Sequence, residues 1–255
     1  MVEWKAATEM ETQTQIAAPA QGEAELNPAA RRLTRLDGAF LALLGVMVAG
    51  HIAAAMIARG WITAAAIDAF AVVYLVALLA RRGWRPLIGR LMLLGLVTGI
   101  LELFTDAAGH QFARSLYYPP GQPLLWDSPF YMPLSWMIVL TQLGYLAWRL
   151  AGLLDGGRGL WRAILLTGLA GAINVPFYEE AAYHAGWWRY APTILNLGHT
   201  PAYVLLFEGL VAAALPLLTH RLLPLRWPYV ALRGALLGVW MPCAALFAWL
   251  LLGVW

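Results

Sequence analysis

Seven apolar runs, each about 20 residues long, fall roughly at 37–58, 62–80, 87–108, 129–149, 160–184, 201–219 and 228–254. A helical run of that length crosses the hydrocarbon of a bilayer, where every backbone amide must be satisfied within its own segment. The fold class follows: an all-α, polytopic membrane protein of about seven transmembrane helices. Composition agrees, because 61% of the 255 residues are hydrophobic and only 12% charged, too little polar surface to cover a soluble domain. Residues 1–36 differ. Gln, Ala, Glu and Thr dominate there, and five of the 14 acidic residues are found in it, so it reads as a disordered cytoplasmic tail ahead of a seven-helix domain at 37–255.

Basic residues set the expected orientation, since short cytoplasmic loops retain Lys and Arg. Arg31, Arg32 and Arg35 precede the first run. Arg81, Arg82, Arg85 and Arg90 surround the second connection, Arg149, Arg158 and Arg162 the fourth, and Arg221, Arg226 and Arg233 the sixth. The alternate connections hold only Arg59, Arg114 and Arg189. This pattern places the chain in the cell membrane as a multi-pass protein, amino terminus cytoplasmic and carboxyl terminus external. The net charge of +3 therefore reports topology, and nothing suggests a nucleic-acid partner. The single cysteine, Cys243, excludes an intrachain disulfide framework and a cysteine metal cluster.

Ionisable residues inside the runs mark a site. Counted at about 1.5 Å per helical residue, His51, Asp68, Glu102, Asp106, Glu179, Glu180, His184 and Glu208 lie near one depth, toward one face of the bilayer. Each costs about 3 kcal/mol at the membrane centre unless it is paired or functional. The depth count puts helices 2 to 6 around the site, helix 1 at its edge and helix 7 at the periphery.

The same residues suggest a duplication. Asp106-Ala-Ala-Gly-His110 ends helix 3 and Glu180-Ala-Ala-Tyr-His184 ends helix 5, each with acid and histidine four apart on one face. A loop rich in Trp, Tyr and Pro follows each, at 111–128 and 185–200, and then a helix opening Pro129-Phe-Tyr131 or Pro201-Ala-Tyr203. Both units run in the same direction, so an internal parallel repeat, helices 3–4 and 5–6 related by rotation about the membrane normal, is expected.

Taken singly, these features have ordinary explanations. The acid–histidine pairs could anchor helix ends at the water interface, Asp68 or His51 could make an interhelical hydrogen bond, and the Trp and Tyr could form an interfacial belt. Their coincidence at one level, with no intramembrane Lys or Arg to pair the carboxyls, points instead to acids that carry protons. A protonated carboxyl in an aromatic pocket suits protonation of an alkene or epoxide, the resulting carbocation being held by the negative faces of the rings. Glu102, Asp106, Glu179, Glu180 and Glu208 are the candidate acid, base and cation-stabilising groups, with Glu180 and Glu102 leading as the initiating acid. Asp68, His110, Tyr131, His184, Trp187, Trp188 and Tyr203 are the candidate substrate-binding residues. No cofactor and no metal is expected, and the partner is an isoprenoid or other lipid substrate already dissolved among the membrane lipids. Two other readings stand beside this one. A metal could be held by the two acid–histidine pairs with Glu102 and Glu208, or the acids could serve a proton-coupled transporter or lipid-binding membrane protein without catalysis.

Pro176-Phe-Tyr-Glu179-Glu180, late in a membrane helix, resembles the proline-then-paired-glutamate motif of the heterodimer-type lycopene cyclases, spaced one residue longer. Glu102, Gly109, Phe112 and Tyr117-Tyr118, followed by Pro129-Phe-Tyr131-Met-Pro133, are similar to the repeat of membrane carotenoid hydratases in bacterioruberin-like pathways. The seven helices with buried carboxylates also resemble the small membrane cyclases of meroterpenoid pathways. Gly198-His199-Thr-Pro201 and the Trp-rich loop have a weaker likeness to the five-helix sterol-isomerase type. These resemblances cover roughly residues 90–215 and imply an isoprenoid-modifying enzyme with Glu102, Glu179 and Glu180 in the acid role.

The arginine alternation makes the orientation testable. A reporter fused after Trp255 should register on the outer side of the membrane; a cytoplasmic signal there would reverse the assignment.

Overall fold

The computed structural model describes residues 33–154 and 159–253. Seven helices in it are long and apolar enough to cross a membrane. They are α1 (Arg35–Ile57), α2 (Trp61–Leu79), α3 (Arg85–Ala107), α4 (Met132–Leu154), α5 (Leu160–Ala185), α6 (Ala202–Thr219) and α7 (Trp227–Ala248). The expected tail lies outside the described residues as far as position 32, as do Arg31, Arg32 and Arg158. Its last residues are structured: Thr34 caps α1, its hydroxyl accepting from Asp37 N–H at 3.1 Å while Asp37 accepts from Thr34 N–H at 2.6 Å. This reciprocal pair satisfies amides that the first helical turn leaves open. The Asp37 carboxylate also receives Arg149 Nε at 2.9 Å and the Tyr145 hydroxyl at 2.7 Å, which fastens α1 to α4 at the arginine-rich end of the bundle.

Helix α4 begins at Met132, three residues later than expected, because the aromatic loops contain short ladders. Strands β1 (Leu116–Tyr117), β2 (Leu124–Leu125) and β3 (Ser128–Pro129) follow α3; β4 (Arg189–Tyr190), β5 (Asn196–Leu197) and β6 (Thr200–Pro201) follow α5. Antiparallel β2–β3 and β5–β6 are hairpins, and β1 pairs with β4, Leu116 opposite Tyr190. Pro129 and Pro201 close these hairpins instead of sitting at the first helical position. The two loops are therefore hydrogen-bonded to each other above the helix ends, and each half of the domain carries the same order of elements.

Between helices with no water to expel, close approach through small residues supplies the packing. Helix α3 runs between α4 and α7: a Cβ on Gly99 would sit 2.5 Å from the Pro133 carbonyl oxygen, and the Thr98 hydroxyl reaches the Gly234 carbonyl at 2.9 Å. Helix α5 meets α6 at Gly171, where a Cβ would lie 2.4 Å from Ala212 Cβ. These contacts fix the separation of the helices that bear the acids. Gly99→Ala should cost about 1–3 kcal/mol through forced separation of α3 and α4, read as a lowered thermal midpoint in detergent. Gly83→Ala, where an added Cβ meets nothing within 4 Å, should change little. Equal midpoints for both variants would refute the close approach.

Candidate functional site

Glu102 and Asp106 lie one turn apart on α3 and are both buried, at 2% and 7% exposure. Beyond them α3 widens into a π-turn, Ala108–Phe112, where Ala113 N–H bonds the Ala108 carbonyl five residues back at 3.0 Å. Such turns re-aim side chains and recur at functional sites. Helix α5, running in the same direction, brings Glu179 to this level, and α6, entering from the loop end, brings Glu208. The four carboxyls line one cavity of about 380 Å³ walled by α3, α4, α5, α6, α7 and the two loops. Most of the remaining wall is apolar and aromatic, including Trp136, Tyr178, Phe207 and Trp249, and among the described residues no Lys, Arg or His lines it.

The loops supply hydrogen-bond donors to two of the acids. The Tyr118 hydroxyl donates to Asp106 Oδ2 at 2.5 Å, and the Ser128 hydroxyl donates to the same oxygen. Trp188 Nε1–H donates to Glu179 Oε2 at 2.7 Å and the Tyr190 hydroxyl to Oε1 at 3.3 Å. Burial first, and then the neighbouring carboxyls, push the Tyr118 and Tyr190 phenols well above their ordinary range, so both remain neutral donors. Glu102 is different. Asp106, the Trp136 indole and, through space, Glu208 act on its carboxyl, while its Oε2 is buried without a hydrogen-bond partner among the described residues, as is Thr105 Oγ1 in the same wall.

The structure redistributes several of the expected site residues. Glu180 does not join the cavity. Consecutive residues on a helix point about 100° apart, so when Glu179 faces inward Glu180 faces the surface, where its carboxylate accepts from His199 and lies 3.5 Å from His184 Nε2. The two acid–histidine pairs therefore do not face one space: His184 is with Glu180 outside, and His110, half-buried, has its Nδ1 3.1 Å from the Leu116 carbonyl oxygen and is not in the cavity wall. In the cavity wall Asp106 and Glu179 each receive a tyrosine hydroxyl from the loop that follows their helix. Trp187 and Tyr131 pack with Ala54, Ala64, Ala182 and Ala185 where α1, α2 and α5 meet, so they belong to the core. Trp188 and Tyr203 do line the cavity. Asp68 accepts from the Ser135 hydroxyl, and α2 contributes nothing to the cavity wall.

His51 lines a second cavity of about 340 Å³ between α1, α4 and α5, which meets the first along Val139, Asn174 and Tyr178. Helix α7, expected at the periphery, closes the acid cavity with Pro242, Ala245, Leu246 and Trp249. Tyr118, Ser128, Tyr190, Trp136 and Asn174 were not expected as site residues. Tyr118 and Tyr190 carried a visible signal as loop aromatics, whereas the serine and asparagine carried none.

Fold and site together define a seven-helix protein of membrane-spanning character with an acid-lined, largely apolar cavity near one end of its bundle. Residues 103–252 match the model of a domain of unknown function, DUF6989, and the chain belongs to that family. The match takes in the two loops, helices α4 to α7 and every cavity acid except Glu102, which stands one residue before it. No curated protein and no solved structure matches the chain.

Trp188→Phe keeps a ring against the cavity but removes the indole N–H that donates to Glu179 Oε2. Leaving that buried oxygen without its donor should cost about 1–3 kcal/mol, seen as a lower unfolding midpoint in detergent. An unchanged midpoint would show that the indole does not support Glu179.

Proposed function

We propose that this protein is an integral membrane enzyme that modifies an isoprenoid by protonating an alkene or epoxide, with cyclisation, hydration or isomerisation as the outcome. The observation that carries the reading is Glu102 Oε2: a carboxyl oxygen in the wall of an apolar, aromatic cavity, with, among the described residues, no donor aimed at it and no basic side chain lining the same space. An ionised carboxylate only accepts hydrogen bonds, whereas a protonated one has an O–H to donate. Asp106 and Glu179 receive donors from the loops and act as acceptors. Glu102 holds the proton.

In this reading the Glu102 O–H bond breaks as a C–H bond forms at one alkene carbon, the alkene π pair supplying the electrons. The cation left at the other carbon is held by the faces of Trp136, Tyr178 and Phe207. A second alkene of the same chain can attack it, forming a ring bond and moving the cation to that alkene's far carbon, or water can add. Loss of a proton from the C–H next to the cation (directly for isomerisation, after ring closure for cyclisation) or from the added water, to Glu179 or Asp106, gives the neutral product, and proton return to Glu102 completes the cycle. Epoxide opening follows the same course, with the proton going to oxygen. The substrate enters from the lipid: Phe112 and Leu246 line the cavity and are also 83% and 57% exposed on the outside of the bundle.

Two further expectations support this reading. The halves α3–β1–β2–β3–α4 and α5–β4–β5–β6–α6 belong to this reading as a parallel duplication in which Asp106 corresponds to Glu180, with the neighbouring Glu179 supplying the cavity acid on α5. The resemblance to membrane carotenoid and terpenoid cyclases and hydratases rests on Glu102, the Glu179-Glu180 pair after Pro176 and the aromatic loops. The same reading puts the chain in the cell membrane with its arginine-rich end cytoplasmic and the acid cavity toward the outer face.

Co-expression with acyclic isoprenoid precursors and analysis of extracted products tests the proposal. Glu102→Gln keeps the shape and removes the transferable proton, so turnover should fall on the order of 10²–10⁴-fold. Glu179→Gln should also be impaired, whereas Asp127→Asn, on the loop outside the cavity wall, should match the parent chain. Full activity in Glu102→Gln would remove this residue from the initiating step.

A further inference from the structure

Outside the cavity, three side chains from two elements converge on one point. Glu180 and His184, four residues apart on one face of α5, meet His199 from the β5–β6 hairpin, and one ligand atom from each lies within 4.8 Å of the others. Glu180 Oε2 is 2.8 Å from His199 Nδ1 and 3.5 Å from His184 Nε2. Around a tetrahedral Zn²⁺ with N and O ligands at 2.0–2.2 Å, ligand atoms stand about 3.4 Å apart. The Glu180–His184 contact of 3.5 Å already has that spacing, and moving His199 Nδ1 back by about 0.6 Å gives the 2.8 Å contact the same one.

The carboxylate is oriented for this role. His199 N–H donates to Glu180 Oε1 at 2.7 Å, which turns Oε2 toward both imidazoles. That approach depends on Gly198: its φ is +62°, and a Cβ there would lie 2.0 Å from Glu180 Oε1. The His199 ring stacks on Tyr183 at 3.5 Å and 13°, and the Arg189 guanidinium sits over the same tyrosine at 5.1 Å. Backbone donation to the carboxylate and a fixed ring plane are the supports that metal-ligating groups need. All three side chains are between 37% and 57% exposed, so an ion reaches them from the aqueous side and keeps solvent in its remaining position.

We infer that Glu180, His184 and His199 form a divalent-cation site that takes Zn²⁺, separate from the acid cavity. Two imidazoles and one carboxylate suit Zn²⁺ over the oxygen-seeking Mg²⁺ and Ca²⁺. A bound ion clips the β5–β6 hairpin to the end of α5. The hairpin leads into Tyr203, and Glu179 precedes the first ligand, so the clip holds two parts of the cavity wall in register while the proton chemistry proceeds without the metal.

The test uses the full chain in detergent, purified without a histidine tag, stripped with chelator and titrated with ZnCl₂. One Zn²⁺ per chain should be retained after desalting, and at a hundredfold excess over Kd the thermal midpoint should rise by roughly 5–10 °C. His184→Ala with His199→Ala should lose both effects, while Glu102→Gln should keep both. Should the double variant not fold, His199→Gln serves in its place, because its amide still donates to Glu180; its Zn²⁺ affinity should fall at least about tenfold. Absence of stoichiometric Zn²⁺ on the parent chain, or unchanged affinity in the histidine variants, overturns the site.

Discussion

A carboxyl group placed in hydrocarbon without a counter-cation is costly, and the surroundings of Glu102, Asp106, Glu179 and Glu208 are arranged around that cost. Among the described residues no arginine lines their cavity: Arg149 pairs with Asp37 and Arg233 donates to the Leu218 and His220 carbonyls at the opposite end of the bundle, and on the loop side Arg189 lies over the Tyr183 ring. Neutral donors are brought instead. Tyr118 and Ser128 from one loop serve Asp106, while Trp188 and Tyr190 from the other serve Glu179. Neutral donors solvate a carboxyl without cancelling its charge, so its capacity to exchange a proton is preserved, which an ion pair would quench.

Those donors reach the acids only because the loops are anchored. The β1–β4 pair ties the two loops together, and the two hairpins set where each loop returns to its next helix. Beneath them, glycine contacts hold α3 against α4 and α7, and α5 against α6. The close contacts at Gly99 and Gly171 lie within a turn of the cavity acids on α3 and α6, and Trp136, Tyr178, Phe207 and Trp249 give the cavity its aromatic wall.

Hydropathy alone made the helices legible, because a run long enough to span has few other stable options in a bilayer. Five of the seven agree with the structure to within two residues at both ends, and α7 continues as a π-turn to Gly253. The start of α4 was not legible, since Ser128 to Tyr131 reads as readily as a first helical turn as it does the close of a hairpin. Depth was legible as well: Glu102, Asp106, Glu179 and Glu208 do share one level and one space. Rotation was not. Glu179 and Glu180 have the same depth, and only the phase of α5 against its neighbours decides which of them turns inward. Helix α7 is apolar on every side, so its sequence gives no face to orient. Two-residue strands have no periodicity to read, which left Tyr118 and Tyr190 looking like belt aromatics.

In the proposed reaction a proton from a cavity acid enters the substrate's carbon skeleton or its epoxide oxygen, and for the alkene case isotope labelling reads this directly. Purified protein equilibrated in D₂O and given an acyclic polyene should return a product bearing one non-exchangeable deuterium per turnover at the carbon protonated, located by mass spectrometry and NMR. The same product formed without deuterium at any carbon, or dependent on an added oxidant, would contradict an acid-initiated reaction.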